Sequence, residues 1–252
     1  MQIDEFASDR VAANDTVGTF TAFFNVPDKT GTYCILGCGD ASAVEYFYIA
    51  VVAGNIQIKA AQAGPNVAFD MITTGAALQP HVWHHVAVVQ DATKPKVYID
   101  GVEYSYVKAN LTETDITECT QWFDTWSQID GAHIGAADSI AGDAALTFEY
   151  KGGISDVKYW NIALSEAQVL DDLRGISNTT SLISHWNFND DLLDQVTASN
   201  NDGTAAGDII LTNNYCEFTS RLRYTTGVPL VADTLVCFAD DRTGHAIVIQ
   251  AA

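Results

Sequence analysis

The sequence predicts an all-β protein, an antiparallel sandwich or barrel carrying one short helix near residues 166–174. Three observations predict it. Short runs rich in Val, Ile, Tyr and Phe dominate the chain: TFTAFFNV, EYFYIAVV, NIQIKA, HHVAVVQ, KPKVYID and VEYSYV. Turn-forming stretches separate them at close spacing, among them VPDKTG, AGN, QDATKP and IDG. Many short strands punctuated in this way indicate antiparallel sheets. Only NIALSEAQVLDDLRGI carries a full set of helix signals.

Taken in order, the acidic, polar start MQIDEFASDR reads as β or loop, and it lacks the basic and apolar regions of a secretory signal. TFTAFFNV, EYFYIAVV and NIQIKA read as strands. HHVAVVQDATKPKVYIDGVEY reads as two hairpins in series, the second turning at Asp100-Gly101, a pair that favours the tight turn matching strand twist. In the helix, Ser165 and Gln168 form a capping box, Leu164 and Val169 a hydrophobic staple, and Gly175 the stop. TLVCFADDRTGHAIVIQ reads as one further hairpin.

Composition narrows the function. The chain has 252 residues, 48% hydrophobic and 10% aromatic, enough for a sizeable core. Twelve basic residues against 32 acidic ones give a formal charge of −20. A partner of nucleic acid or anionic membrane needs a basic face, so both are excluded as partners. No apolar run approaches the ~18 residues of a spanning helix, which speaks against membrane insertion. The five cysteines cannot all pair internally, and Cys34 and Cys38, four apart on a strand-like run, exceed the ~7 Å Cα limit for a bridge. Reduced thiols fit synthesis in a reducing cytosol.

Three further blocks carry a resemblance. HVWHHVAVVQDATKPKVYIDGVEY, GGISDVKYWNIALSEAQVLDDL and SLISHWNFNDDLLDQVTASNNDGTAAG together resemble the laminin G-like and concanavalin A-like jelly-roll family of lectins and glucanases. The resemblance implies an antiparallel jelly-roll β-sandwich over residues 1–205. It leaves 206–252 as a β-rich C-terminal extension that completes the sandwich or forms an assembly arm. In the family the Trp-x-Phe … Asn-Asp-Gly-Thr element usually comes first. In this chain it comes last, as in a permuted jelly roll.

The family either binds sugars and proteins or cleaves β-glucans. NLTETDITE, with Glu113, Asp115 and Glu118, has the look of a glucanase cleft strand. Three features oppose an enzyme. Thr114 stands where the motif has a core-packing aliphatic residue. The segment follows the Tyr-x-Asp-Gly hairpin instead of preceding it. Asn110, Thr112, Thr114 and Thr117 make it polar on both faces, as in a loop.

The long rim segment ECTQWFDTWSQID supplies the candidate ligand contacts: Trp122, Phe123 and Trp126 as stacking surfaces, Asp124, Gln128 and Glu118 as hydrogen-bond partners. Anchoring of the aromatics in the core, or burial against another subunit, are the competing roles. His84 and His85 point to opposite strand faces and cannot chelate together, nor can His81 join them. Calcium is the cofactor that the resemblance and the acidic loops allow. Asp138 and Asp143 flank one loop with Glu149; Asp190, Asp191 and Asp194 crowd another, close to Asn200, Asn201 and Asp202. Their lack of fixed spacing favours turn-capping roles over a calcium site.

The expected function is a non-catalytic structural or recognition protein. Its expected setting is an exposed virus or phage particle component, such as a capsid decoration, fibre or tail-associated protein. That protein is homo-oligomeric, contacts other structural subunits and host glycans, and is found in the virion or outside the cell after release. A calcium-assisted lectin-like module is the first alternative. A glycoside hydrolase using Glu113 and Glu118 is the second.

Overall fold

The computed structural model describes residues 1–40, 45–61, 67–108, 119–138, 146–176, 178–189, 191–199, 201–207, 209–211, 235–240 and 245–250. The chain falls into two compact units, Met1–Phe218 and Thr219–Ala252. In order, the first holds α1 (Asp4–Ala13), β1 (Gly18–Asn25), β2 (Thr32–Asp40), β3 (Glu45–Val52), β4 (Asn55–Ala61), β5 (Val67–Thr73), β6 (His84–Gln90), β7 (Lys96–Ile99), β8 (Val102–Tyr104), β9 (Tyr106–Lys108), β10 (Gly131–Ile134), β11 (Ala137–Asp138), β12 (Leu146–Thr147), β13 (Gly153–Trp160), α2 (Glu166–Leu173) and β14 (Leu182–Trp186). The second holds β15 (Leu235–Asp240) and β16 (His245–Gln250), paired antiparallel as the sequence predicts.

Two six-stranded antiparallel sheets form the sandwich. The first runs β14-β13-β1-β6-β7-β8 and the second β10-β2-β3-β4-β5-β9. Each strand alternates a core side with an outer side. Phe20, Phe24, Val86, Val88, Val97 and Ile99 from the first sheet meet Leu36, Phe47, Ile49, Ile58, Phe69 and Met71 from the second in one buried core. The run VEYSYV, which reads as one strand, divides between the sheets. Val102–Tyr104 pairs with β7, and after Ser105 the chain crosses to pair Tyr106–Lys108 with β5. The family's Trp-x-Phe element supplies β14, which pairs with β13 at the edge of the first sheet. Trp186 is buried there, and its indole donates to the Asn201 carbonyl at 2.8 Å.

The single-helix expectation is corrected: a second helix, α1, lies at the N-terminus. Its first turn holds Asp4 and Glu5 and its last holds Arg10, the arrangement that complements the helix dipole. It is held by tertiary contacts. Phe6 is buried, with its ring 5.2 to 5.9 Å from those of Tyr159, Trp186, Phe20 and Phe123. Asp4 also accepts the Ala132 N–H of β10 at 2.9 Å.

The predicted helix is α2. Ser165 and Gln168 make the reciprocal capping box. Leu164 and Val169 join one small cluster with Ala87, Val89, Tyr98 and Trp160, so α2 covers the outer side of the first sheet. The β7–β8 turn supports it. Asp100 and Gly101 have φ of 52° and 79°, the paired positive values of a tight hairpin turn. A Cβ at Gly101 would lie 2.5 Å from the Leu170 side chain of α2. Gly101→Ala should therefore cost about 1–3 kcal/mol in urea unfolding, from backbone strain and the displaced helix together; an unchanged midpoint would refute that account.

Candidate functional site

Neighbouring strands of the second sheet bring together a polar and aromatic row on its outer face. The β3–β4 register sets Tyr48 opposite Lys59, and the β4–β5 register sets Lys59 opposite Asp70. One step along, Ala50, Gln57 and Ile72 form the next row. The alternation that sends Phe47, Ile49, Ile58, Phe69 and Met71 into the core sends these side chains outward.

The row is wired by hydrogen bonds. Tyr48 Oη donates to Gln57 Oε1 at 3.3 Å, and Gln57 Nε2 donates to Asp70 Oδ1 at 2.6 Å. Lys59 Nζ lies 2.9 Å from Asp70 Oδ2, with 22% of the lysine side chain exposed and 5% of the aspartate. Burial, and then the nearby Asp70 charge, push the Tyr48 phenol well above its ordinary value, so it stays a hydrogen-bond donor.

Aromatic rings flank the row. Tyr46 stacks on Tyr48 at 6.0 Å with planes 13° apart. Phe148, just after β12, sets its ring edge-on to Tyr48 at 5.9 Å and is 37% exposed. Phe148 has φ 54°, an outlier for a bulky residue, and its carbonyl accepts the Cys34 N–H of β2 at 2.8 Å. Strained backbone of this kind clusters at binding sites. Tyr46, Tyr48 and Asp70 are 8%, 5% and 4% exposed and support the row from beneath, so the face offers the Phe148 ring beside the half-buried Gln57 amide and Lys59 ammonium, a set able to pack on one side of a polar ligand and hydrogen-bond its edge.

The rim segment has another role. Trp122, Phe123 and Trp126 are 0%, 0% and 2% exposed. Trp122 donates to Tyr159 Oη at 3.1 Å, and its ring lies 5.2 Å from Phe47. Trp126 packs on Phe47 and Phe123. A tight turn, closed by Thr125 N–H on the Trp122 carbonyl, points all three rings inward. They anchor the segment to the core, and in this structure none offers a face to a ligand. Asp124 and Gln128 are exposed, away from those rings, and their backbone N–H groups are tied to the Asp15 carbonyl and the Glu45 carboxylate. The expected grouping of these five residues around a ligand is therefore not formed. Glu113, Asp115 and Glu118 lie outside the described residues.

The acidic loops act as turn caps where they are described. Asp194 is 7% exposed and accepts from His185 N, Val196 N and Ser199 Oγ at 2.9, 2.9 and 2.6 Å. Asp191 caps Leu193 N at 3.2 Å. Asp143 and Asp190 lie outside the described residues, as does the side chain of Asp138. Among the described residues no group of three His, Cys, Asp or Glu side chains converges as a metal site. His84 and His85 point to opposite faces: His84 Nδ1 donates to Asp100 at 2.7 Å while its Nε2 accepts the Gln79 N–H at 3.1 Å, and His85 faces Asp172. No helix among the described residues is long and apolar enough to cross a membrane.

The chain resembles the CBM40 of the Ruminococcus gnavus IT-sialidase bound to α2,3 sialyllactose, with 13% identity and a TM-score of 0.47, over 62% of this chain and 82% of that one. It also resembles the leech intramolecular trans-sialidase complexed with 2,7-anhydro-Neu5Ac, with 14% identity and a TM-score of 0.52; the match covers 71% of this chain but 26% of that enzyme. A K499G mutant of NanB sialidase from Streptococcus pneumoniae matches at 19% identity and a TM-score of 0.49, over 68% of this chain and 26% of that one. No curated protein sequence matches the chain. The profile of the concanavalin A-like lectin/glucanases superfamily matches residues 5–170. With that match spanning most of a sandwich of two six-stranded antiparallel sheets, the chain belongs to the concanavalin A-like lectin/glucanase superfamily.

Proposed function

We propose that the protein is a non-catalytic recognition module that binds carbohydrate on the outer face of its second sheet. The observation that carries this is the bonded row Tyr48–Gln57–Lys59–Asp70 with the strained, half-exposed Phe148 ring at its side. Membership of a superfamily of lectins and glucanases supports a sugar as the ligand class. Between those two activities the row favours binding. A retaining hydrolase needs two carboxyl groups ~5–5.5 Å apart, one of them a nucleophile. Asp70 is the one carboxylate of the described row, and Lys59 and Gln57 hold its two oxygens.

The test is a glycan array followed by calorimetric titration of the best hit. Phe148→Ala should weaken binding about tenfold, the loss expected of one aromatic contact, and Tyr48→Phe should weaken it measurably, with circular dichroism unchanged in both. Binding that survives both substitutions intact, or no binding at all, refutes the site. Calcium forms a second arm of that assay. The row is built from the chain's own cation and amide, so titrations with calcium chloride or with a chelator should superimpose. The virus-particle setting and the homo-oligomer expected from the sequence draw on no described residue and add nothing to the argument for the site.

A further inference from the structure

We infer that this face selects uncharged sugars over acidic ones, an inference that rests on the carbohydrate reading above and narrows it. The cation of the row, Lys59, is engaged by Asp70 at 2.9 Å, and Asp70 is nearly buried. Gln57 adds a 2.6 Å hydrogen bond to the second carboxylate oxygen, and Tyr48 closes the series onto Gln57. From Tyr48 to Asp70 the row therefore carries one positive and one negative charge, which cancel.

A sugar hydroxyl suits such a row. It donates and accepts at once, so it can accept from the second N–H of the half-buried Gln57 amide while donating to that amide's oxygen. A sugar carboxylate does not. It would give up its hydration to share an ammonium that already serves a nearly buried carboxylate, and it would set a second anion beside Asp70. The formal charge of −20 on the whole chain opposes it further, through a field that repels anions before contact. Tight recognition of a carboxylate calls for an uncommitted cation, best a bidentate arginine. In this row the cation is committed.

The experiment uses the full chain and an array printed with matched oligosaccharide pairs, each neutral member paired with the same structure ending in sialic acid or a uronate. Neutral members should bind at least about tenfold tighter than their acidic partners. Raising sodium chloride from about 50 to about 500 mM should leave neutral binding within about twofold, since no net charge is exchanged. Asp70→Asn removes the anion of the row and should shift the ratio about tenfold toward the acidic members. Acidic members binding equally or better, in wild type, overturns the inference while leaving the carbohydrate site standing. No binding by any member overturns the carbohydrate reading and this inference with it. If Asp70→Asn fails to fold, the matched pairs and the salt series decide the matter on wild-type protein.

Discussion

Trp122→Ala should lower the free energy of unfolding by about 3–5 kcal/mol, the range for deleting a fully buried large aromatic. The indole is wholly buried between the sheets, within 6 Å of the rings of Phe20, Phe47 and Phe123. Removing it forfeits that apolar burial and leaves a cavity that flanking strands, fixed by their ladders, cannot close. It also removes the N–H donated to Tyr159 Oη, whose remaining bond is its own donation to Asp15 at 3.0 Å. Gly18 adds a steric reason for the fit, since a Cβ there would stand 2.6 Å from the Trp122 indole nitrogen. Urea denaturation followed by circular dichroism measures the effect. The same substitution should leave carbohydrate affinity per folded molecule within about twofold, because the ring lies in the core and the proposed site on the outer face. A stability change below about 0.5 kcal/mol, the value for a surface position, would overturn the anchoring role and restore Trp122 as a ligand contact.

That contrast shows what the sequence could and could not reveal. β1, β3, β4, β6 and β7 are legible because runs rich in Val, Ile, Tyr and Phe, bounded by turn residues, are local signals of strands. α2 is legible because its capping box, staple and stop are local signals. α1 is not. DEFASDRVAA holds one large aromatic, and the helix exists because Phe6 finds four rings to pack against, contacts made by residues far along the chain. VEYSYV hides its crossing at Ser105 because a lone serine within a strand-like run is a weak turn signal; pairing with β7 on one side and β5 on the other decides where each half goes. The three rim aromatics leave three roles open since an aromatic's identity does not say which way a loop faces. The Tyr48–Lys59–Asp70 row left a usable trace, each residue being flanked by core apolar ones. Its members become neighbours only once the registers of three strands are fixed, and a one-residue slip would send them into the core. Phe148 left no trace at all, because its positive φ is a property of the folded loop.

Lys158→Met should prove as costly as Trp122→Ala, and its cost should depend on pH. Under α2, on the outer side of the first sheet, the Lys158 ammonium lies 2.6 Å from Asp156 and 2.8 Å from Asp172, with 9% of its side chain exposed. His185 bonds Asp156, and His85 Nε2 bonds Asp172 at 3.0 Å. Burial pushes the Asp156 carboxyl up, but the His185 hydrogen bond and the Lys158 charge outweigh it and hold the group well below its ordinary value. Asp172 is likewise raised by burial and drawn below its ordinary value by His85 and Lys158. Burial lowers Lys158, and the two carboxylates more than reverse that. The signs follow. Depressed carboxyl values mean the cluster's contribution is complete above the ordinary carboxylate range, about pH 4–5, and is lost as pH falls through the folded-state values. The raised lysine value means its share persists through neutral pH and is lost only in strong alkali. At pH 7 the methionine variant retains the aliphatic stem and loses the charge, leaving two largely buried carboxylates without their common cation, at a cost of about 3–5 kcal/mol. Acid then relieves the variant, because protonation neutralises the stranded carboxylates, while the same protons remove the ion pairs from wild type. The stability difference between the two proteins should therefore shrink as pH drops from about 7 toward about 3. Parallel urea titrations at several pH values decide it. A difference that stays constant would mean that Lys158 stabilises the fold through the packing of its stem and that its charge contributes nothing.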